Sequence, residues 1–302
     1  MYIIRARVDT AARKQGGTHL ENQRIITDTD LRTFTNWLKA EEKARSTIEK
    51  YGRDIRKFSL WMNGAVVTKE AVAQYKHYLL HEQNRKPTGI NGVIAALNSF
   101  FAFTARDIRL KSLKTQRQTF RPKEKVLNKD EYKRLLLAAQ SMGNMRLNLV
   151  LQAICSTGIR VSELRFITIN AALSGETEIS NKGKTRTVFL PKELSNLLLT
   201  YARKRGIHSG SIFVTKNGKP LDRSNIWAEM KKLCGSAKVA PSKVFPHNLR
   251  ALFARRFYSI DKDIAGLADL LGHSSVDTTR IYLMDSGEQH RRRVDSLRLI
   301  MT

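Results

Sequence analysis

The chain has 302 residues, of which 41% are hydrophobic, so it is long enough for two domains with a core each, and no apolar run is long enough to span a bilayer. Lysine and arginine number 54 against 27 acidic residues, and the net charge of +27 favours nucleic acid as a partner because binding releases counterions, although charge alone also allows an acidic lipid partner or none. The only cysteines, Cys155 and Cys234, make neither a disulfide framework nor a zinc-ligand pattern, so we expect a cytoplasmic protein without a metal or cofactor.

The first third of the chain combines a polar arm with a helical domain. Residues 1–28 are polar, contain Gly16-Gly17 and are predicted to form a flexible arm. Between residues 29 and 105, apolar side chains recur at intervals of three and four residues, as in amphipathic helices. These positions are Leu31, Phe34, Trp37, Leu38, Ile48, Tyr51, Ile55, Phe58, Val72, Tyr75, Tyr78, Leu79, Val93, Leu97, Phe100 and Phe101. The pattern predicts a small bundle of four helices.

Residues 106–125 are predicted to form a basic linker. They contain eight lysines and arginines, opposed only by Asp107 and Glu124. Two interpretations remain open for this segment. It is either a solvated tether or a strap that lies along a phosphate backbone.

The second domain, residues 126–302, mixes helices with one hairpin. Asn128 can cap a helix over Lys129–Ala139, and another is predicted over Leu147–Ser156. Residues 178–190 read as a hairpin whose turn is Asn181-Lys182-Gly183-Lys184. Further helices are predicted at Leu194–Arg205, Ser224–Leu233, Pro246–Tyr258, Ile264–Leu271 and Val276–Leu283. The fold class is therefore mainly α with a small β-sheet.

Breaking a DNA phosphodiester without a metal needs a nucleophile, fixed cations on the non-bridging oxygens and an acid for the leaving 5′ oxygen. Arginine suits the cationic role because its planar fork donates two parallel bonds to phosphate. Separate segments offer these groups, each of which taken alone is an ordinary surface or core residue. They are Arg160, Lys182, His247, Arg250, His273 and Tyr282.

Three segments carry a resemblance to one family. Residues 270–282, Leu-Leu-Gly-His-Ser-Ser-Val-Asp-Thr-Thr-Arg-Ile-Tyr, resemble the C-terminal signature of the tyrosine recombinase (phage integrase) family nearly residue for residue. Residues 157–164 resemble its first arginine box, and residues 46–58 resemble the start of its N-terminal core-binding domain. The lengths are most similar to those of Xer-type recombinases and small mobile-element integrases. The resemblance implies a helical core-DNA-binding domain followed by an α+β catalytic domain.

The resemblance also implies a role for each candidate. Arg160 and Arg250 would clamp the scissile phosphate, and His273 would hydrogen-bond it. Tyr282 would be the nucleophile, with His247 as its base, and the product would be a 3′-phosphotyrosyl link. Because that link keeps the bond energy, rejoining would need no ATP.

Two further roles follow from the resemblance. Lys182 would be the general acid, chosen over Lys184 because it precedes the glycine. Glu163 would orient Arg160 or His247. The chain departs from the common family pattern at three positions, namely Phe189, Ala251 and Leu252.

The implied partners are double-stranded DNA with inverted-repeat core sites and three further copies of the chain, which together form a homotetramer. Accessory DNA-binding proteins are left open as additional partners. The expected location is the nucleoid. Integration, excision, inversion and dimer resolution all remain open. The alternatives are relaxation by a type IB topoisomerase-like enzyme and a catalytically silent DNA-binding protein of the same fold.

The chain after Tyr282 ends in an apolar tail that packs either on its own domain or on a neighbour's. Its apolar residues are Val294, Leu297, Leu299, Ile300 and Met301.

Overall fold

The protein divides into two units. A computed structural model describes residues 25–115, 122–181, 184–215, 217–284 and 287–300. The N-terminal unit is Met1–Arg117 and the C-terminal unit is Gln118–Thr302. Among the described helices, none combines the length and apolarity that crossing a membrane requires.

The N-terminal unit contains the four predicted helices, α1 (Asp28–Ala40), α2 (Arg45–Met62), α3 (Lys69–His81) and α4 (Pro87–Phe103). Local signals set their ends. The side chain of Thr27 accepts from the backbone of Asp30 in a capping box at the start of α1, and Asn63 adopts a left-handed conformation after α2. The apolar faces form one core whose largest fully buried side chains are aromatic. These are Phe34, Phe58, Phe100 and Phe101.

The first half of the segment predicted as a linker packs on this unit. The Asn98 amide oxygen accepts from the backbone N–H of Leu110 at 2.9 Å, and the Asn91 oxygen accepts from that of Leu113 at 2.7 Å. At the other end of the unit, Ile26 is buried in the same core. Residues 1–24 of the predicted arm and residues 116–121 of the predicted linker lie outside the described residues.

The C-terminal unit is built mainly from helices, which confirms the predicted fold class. They are α5 (Lys129–Ser141), α6 (Met145–Thr157), α7 (Ile169–Ser174), α8 (Lys192–Lys204), α9 (Arg223–Ala237), α10 (Pro246–Asp261), α11 (Ile264–Leu271), α12 (Val276–Leu283) and α13 (Gly287–Ser296). The short helix α7 was not expected from the sequence. A large core lies under α5 to α10, and a smaller cluster packs α10, α11 and α12 together. That smaller cluster includes Leu267, Leu271 and Tyr282.

The sheet is a two-stranded antiparallel hairpin of β1 (Glu176–Asn181) and β2 (Lys184–Phe189). Ile179 pairs with Arg186, so this arginine shares the buried face of β2 with Val188. Lys182, predicted at the tip of this hairpin, lies outside the described residues.

Candidate active site

Arg160 is held where helix α6 ends. Gly158 closes the helix at φ +65°, and a side chain at this position would collide with the ring of Phe253. The chain then enters a 3₁₀ turn over residues 161–166. Glu163 in this turn accepts from the Arg160 backbone N–H at 2.9 Å and from its Nη1 at 2.9 Å. The arginine is therefore fixed by its own turn and still has 34% of its side chain exposed.

Glu163 also binds a second arginine that the sequence analysis did not select. Its Oε2 lies 2.6 Å from Nη2 of Arg186, and only 2% of the Glu163 side chain is exposed. Burial alone would raise the pKa of Glu163, but its hydrogen bonds with Arg160 and the charge of Arg186 hold that pKa below its usual value. The carboxylate therefore stays ionised and bridges two guanidinium groups.

Arg250 is the buried arginine of the site. It lies on α10 with 2% of the residue exposed. It donates to the carbonyl oxygen of Gly158, to that of Leu271 at 2.5 Å, and lies 3.1 Å from Nε2 of His273. Burial, followed by the charge of Arg160, lowers the pKa of Arg250 to about 10, so it remains charged at neutral pH. Its buried Nε has no hydrogen-bond partner among the described residues.

Three successive carbonyls at the end of α11 each accept from a different arginine. The oxygen of Leu270 accepts from Arg186 at 2.5 Å, and that of Gly272 accepts from Arg160 at 3.1 Å. Leu271, between them, is the acceptor of Arg250. Because the C-terminal end of a helix carries partial negative charge, it holds the three cations close together.

His273 follows this helix end directly. Its Nδ1 lies 2.8 Å from the hydroxyl of Thr279, which is fully buried. Because Arg250 can only donate to Nε2, this nitrogen accepts, and the network assigns the proton to Nδ1. Burial and the charges of Arg250 and Arg160 lower the pKa of His273 to about 4, so the ring is neutral at neutral pH.

Tyr282 contacts two histidines. It is 4% exposed on α12, and its hydroxyl is 3.1 Å from Nδ1 of His247, at the start of α10. The His247 ring centroid is 4.7 Å from that of Tyr282, and the His273 ring stacks on the tyrosine at 5.3 Å. The phenol therefore has a histidine nitrogen at its hydroxyl and packs against both imidazole rings.

The structure thus brings together all the sequence-predicted residues that it describes. Arg160, Glu163 and His273 line a cavity of about 800 Å³ beside the hairpin. Lys182 is outside the described residues, as is the side chain of the alternative acid, Lys184. Glu163 contacts Arg160, the first of the two partners suggested for it, at 2.9 Å. Among the described residues, no three His, Cys, Asp or Glu side chains form a group that could hold a metal ion.

Sequence reasoning missed two residues of the site, Arg186 and Thr279. A signal existed for Arg186, because strand alternation puts it on the same side as the apolar Val188. Thr279 lies three residues before Tyr282 on α12, which places it on the same helical face as the tyrosine.

Comparison with known protein families shows which family the chain belongs to. Residues 125–289 match the phage integrase family model, and residues 19–107 match the phage integrase N-terminal SAM-like domain. The chain belongs to the phage integrase family. This integrase is 28% identical to tyrosine recombinase XerD of Halalkalibacterium halodurans over 84% of its own length and 92% of the relative. It is 28% identical to tyrosine recombinase XerA of Pyrococcus horikoshii, over 93% and 98% of the two chains.

Solved structures agree with this assignment. The integrase aligns with a crystal structure of XerA recombinase at 26% identity and a TM-score of 0.51, covering 91% of this chain and 100% of that one. The XerH recombinase bound to its difH substrate gives a TM-score of 0.67 at 19% identity, covering 91% of each chain. A lambda integrase tetramer on a Holliday junction gives 0.68 at 18% identity, covering 90% and 82%. The last two structures show the shared fold. The family match and the curated relatives identify the integrase as a site-specific tyrosine recombinase.

Proposed function

We propose that this recombinase cuts and rejoins double-stranded DNA through a covalent bond between Tyr282 and a 3′ phosphate. The observation that carries the proposal is the 3.1 Å contact between the Tyr282 hydroxyl and Nδ1 of His247, beside the two arginines of the candidate clamp. A tyrosine is a weak nucleophile at its ordinary pKa and needs an adjacent base. His247 supplies that base at hydrogen-bond distance.

In the proposed cleavage step, the Tyr282 oxygen attacks phosphorus and its proton passes to Nδ1 of His247. One P–O bond forms to the tyrosine while the bond to the 5′ oxygen breaks. Lys182 gives the leaving oxygen its proton. A 5′ hydroxyl from the partner strand then reverses the reaction, so one P–O bond is exchanged for another and no external energy source is required.

Charge stabilisation falls to the arginines. Negative charge grows on the non-bridging oxygens in the transition state, and fixed cations in a partly dry site stabilise it without reorganising. Arg160 keeps 34% of its side chain exposed, and the buried Arg250 stays charged beside it. His273 is neutral and stacked on Tyr282, so it adds no further charge that would repel the arginines.

The proposed partner is a DNA site with inverted-repeat core sequences, bound by four copies of the chain. Strand exchange joins two duplexes, and each duplex is cut at two points, so four protomers are needed. The XerH structure is bound to its difH substrate, and the lambda integrase structure is a tetramer bound to a Holliday junction. The net charge of +27 supports a polyanionic partner at the nucleoid. Accessory DNA-binding proteins are further candidate partners.

Two surfaces of the C-terminal unit support head-to-tail assembly. The tail after α13 exposes apolar side chains, with Leu299 80% and Ile300 87% exposed. An apolar groove of about 450 Å³ between α5, α6 and α8 is lined in part by Leu137, Met145 and Leu197. We propose that the tail of one copy occupies this groove on the next, because head-to-tail contacts of this kind can close a ring.

The nucleophile is tested with a nicked duplex carrying the inverted-repeat site mapped beside the gene. The nick lets the short cleaved strand diffuse away, so wild type accumulates as a covalent complex on a denaturing gel. Tyr282→Phe should bind the duplex with unchanged affinity and form none of this complex. Tyr258→Phe, a half-buried tyrosine on α10, is the control and should react normally. A covalent band from Tyr282→Phe would refute the assignment, and relaxation of supercoiled DNA lacking the site would favour the topoisomerase alternative.

A further inference from the structure

Arg186 has both ends of its fork occupied by protein acceptors that lie on two different elements, the end of α11 and the 3₁₀ turn of Glu163. Nη1 donates to the oxygen of Leu270 at 2.5 Å and Nη2 to Glu163 at 2.6 Å. Only 10% of its side chain is exposed, compared with 34% for Arg160. With a tenth of its side chain exposed and both Nη atoms bonded to protein acceptors, Arg186 connects parts of the protein to each other.

Those contacts join three elements that carry reactive groups. Arg186 lies on β2, its carboxylate partner Glu163 holds Arg160, and its carbonyl partner Leu270 lies at the end of α11. The two carbonyls that follow Leu270 accept from Arg250 and Arg160, and the residue after them is His273. A displacement of Arg186 would therefore reach both members of the candidate clamp and the stacked histidine.

The fit between Arg186 and the turn is tight. Gly272 has φ +61°, and a Cβ at this position would collide with Cδ and Nε of Arg186. The stem of the arginine therefore packs directly against the backbone of the turn. Lysine cannot replace it, because a single ammonium cannot donate to two acceptors in the fixed fork geometry of a guanidinium.

We propose that Arg186 is a positioning residue for DNA cleavage, which fixes the Leu270–Gly272 turn against Glu163 and so aligns Arg160, Arg250 and His273 without touching the DNA. The inference rests on the proposed cleavage by Tyr282. It predicts that replacing Arg186 lowers the rate of the chemical step, and that this loss arises from displacement of Arg160 and Arg250.

The first test compares Arg186→Met and Arg186→Lys with Arg203→Met, an exposed arginine in the last turn of α8. Single-turnover formation of the covalent complex is measured on the nicked duplex, together with the affinity for one half-site. Arg186→Met should cleave about 10²-fold more slowly, as expected when reacting groups are displaced by about 1 Å. Arg186→Lys should fall between Arg186→Met and wild type, since it keeps the charge but not the fork. Half-site affinity should stay unchanged for all three variants, and Arg203→Met should cleave normally.

The second test asks whether Arg186 acts through Arg160. If it does, Arg160→Ala combined with Arg186→Met should lose clearly less cleavage rate than the product of the two single losses, whereas independent sites would multiply their effects. A multiplied loss would overturn the inference, as would wild-type cleavage by a folded Arg186→Lys or Arg186→Met variant. If Arg186→Met unfolds, Arg186→Lys decides the question, and if neither folds, Arg186 serves folding and the inference fails. Absence of a covalent complex from wild type would instead refute the proposed function.

Discussion

Replacing Arg160 or Arg250 by alanine should lower the cleavage rate in both variants but should lower the stability mainly in Arg250→Ala. Both Arg160→Ala and Arg250→Ala remove a cation from the phosphate. Removing one such donor typically slows the chemical step by about 10²–10³-fold, equivalent to about 2.7–4 kcal/mol. Cleavage should therefore fall to a similar extent in both variants, while the many other cations maintain DNA binding.

Stability should distinguish them. Arg250 is 2% exposed and donates to the carbonyls of Gly158 and Leu271, so its removal leaves two buried acceptors without a donor. Each costs about 1–3 kcal/mol, or about 2–6 kcal/mol together before any water enters the space. For a unit of this size, the melting temperature should fall by roughly 10 °C. Arg160 is 34% exposed and gives up one carbonyl contact and one contact with Glu163, which keeps Arg186 as its partner, so Arg160→Ala should lose less stability than Arg250→Ala.

The assay combines thermal unfolding with single-turnover cleavage on the nicked duplex. Arg250→Lys is the matched variant that keeps the charge while losing the second donor. Equal melting temperatures for Arg160→Ala and Arg250→Ala would refute the argument that the Gly158 and Leu271 contacts of Arg250 stabilise the unit. Equal losses of DNA affinity and cleavage rate would show that the arginines only anchor the DNA.

Three further predictions address the acid, the histidine and the tail. Lys182→Ala should be rescued by a substrate with a 5′ thiol leaving group, which departs without a proton, whereas Lys184→Ala should cleave normally; rescue of Lys184→Ala instead would reassign the acid. Because the folded-state pKa of His273, about 4, lies below its usual 6.5, the unfolded chain takes up a proton that the folded chain does not, so stability should fall as the pH drops through that interval. His273→Gln should show a shallower fall in melting temperature between about pH 6.5 and pH 4.5 than wild type, and identical profiles would contradict a neutral His273. Truncation before Val294 and Leu137→Asp should each leave half-site binding intact while abolishing cooperative binding of the second half-site and strand exchange, and normal recombination by either would exclude the proposed tail contact.

Local patterns predicted much of this fold. The bounds expected for the helices over residues 264–271 and 276–283 coincide with α11 and α12, because Asp263, Gly272 and Ser275 provide clear start and stop signals. The short helix α7 was missed because six residues carry too little periodicity to recognise.

The site was predicted less completely than the fold. Residues that match the family signatures were found, since their identity and order can be read directly. Arg186 was missed because its role depends on two distant partners, the carboxylate of Glu163 and the carbonyl of Leu270. Because the chain contains many basic residues, one arginine inside a predicted strand cannot be distinguished from the others before its partners in the fold are known. The burial that separates Arg250 from Arg160 is likewise a property of packing, and both occur in the sequence simply as arginines.

Helix α10 carries more than His247 and Arg250. The amide of Asn248 donates to the carbonyl of Lys125 at 2.8 Å, and Arg255 donates to that of Leu127 at 2.8 Å. The chain is thus fastened to the catalytic helix where it enters the C-terminal unit. A chimaera that exchanges N-terminal units between recombinases, in order to change which DNA is bound, should therefore keep residues 122–127 with their own α10. A junction between residues 115 and 122 cuts none of the contacts described for either unit, whereas one placed after Leu127 would put both acceptor carbonyls on a segment that did not evolve against this helix.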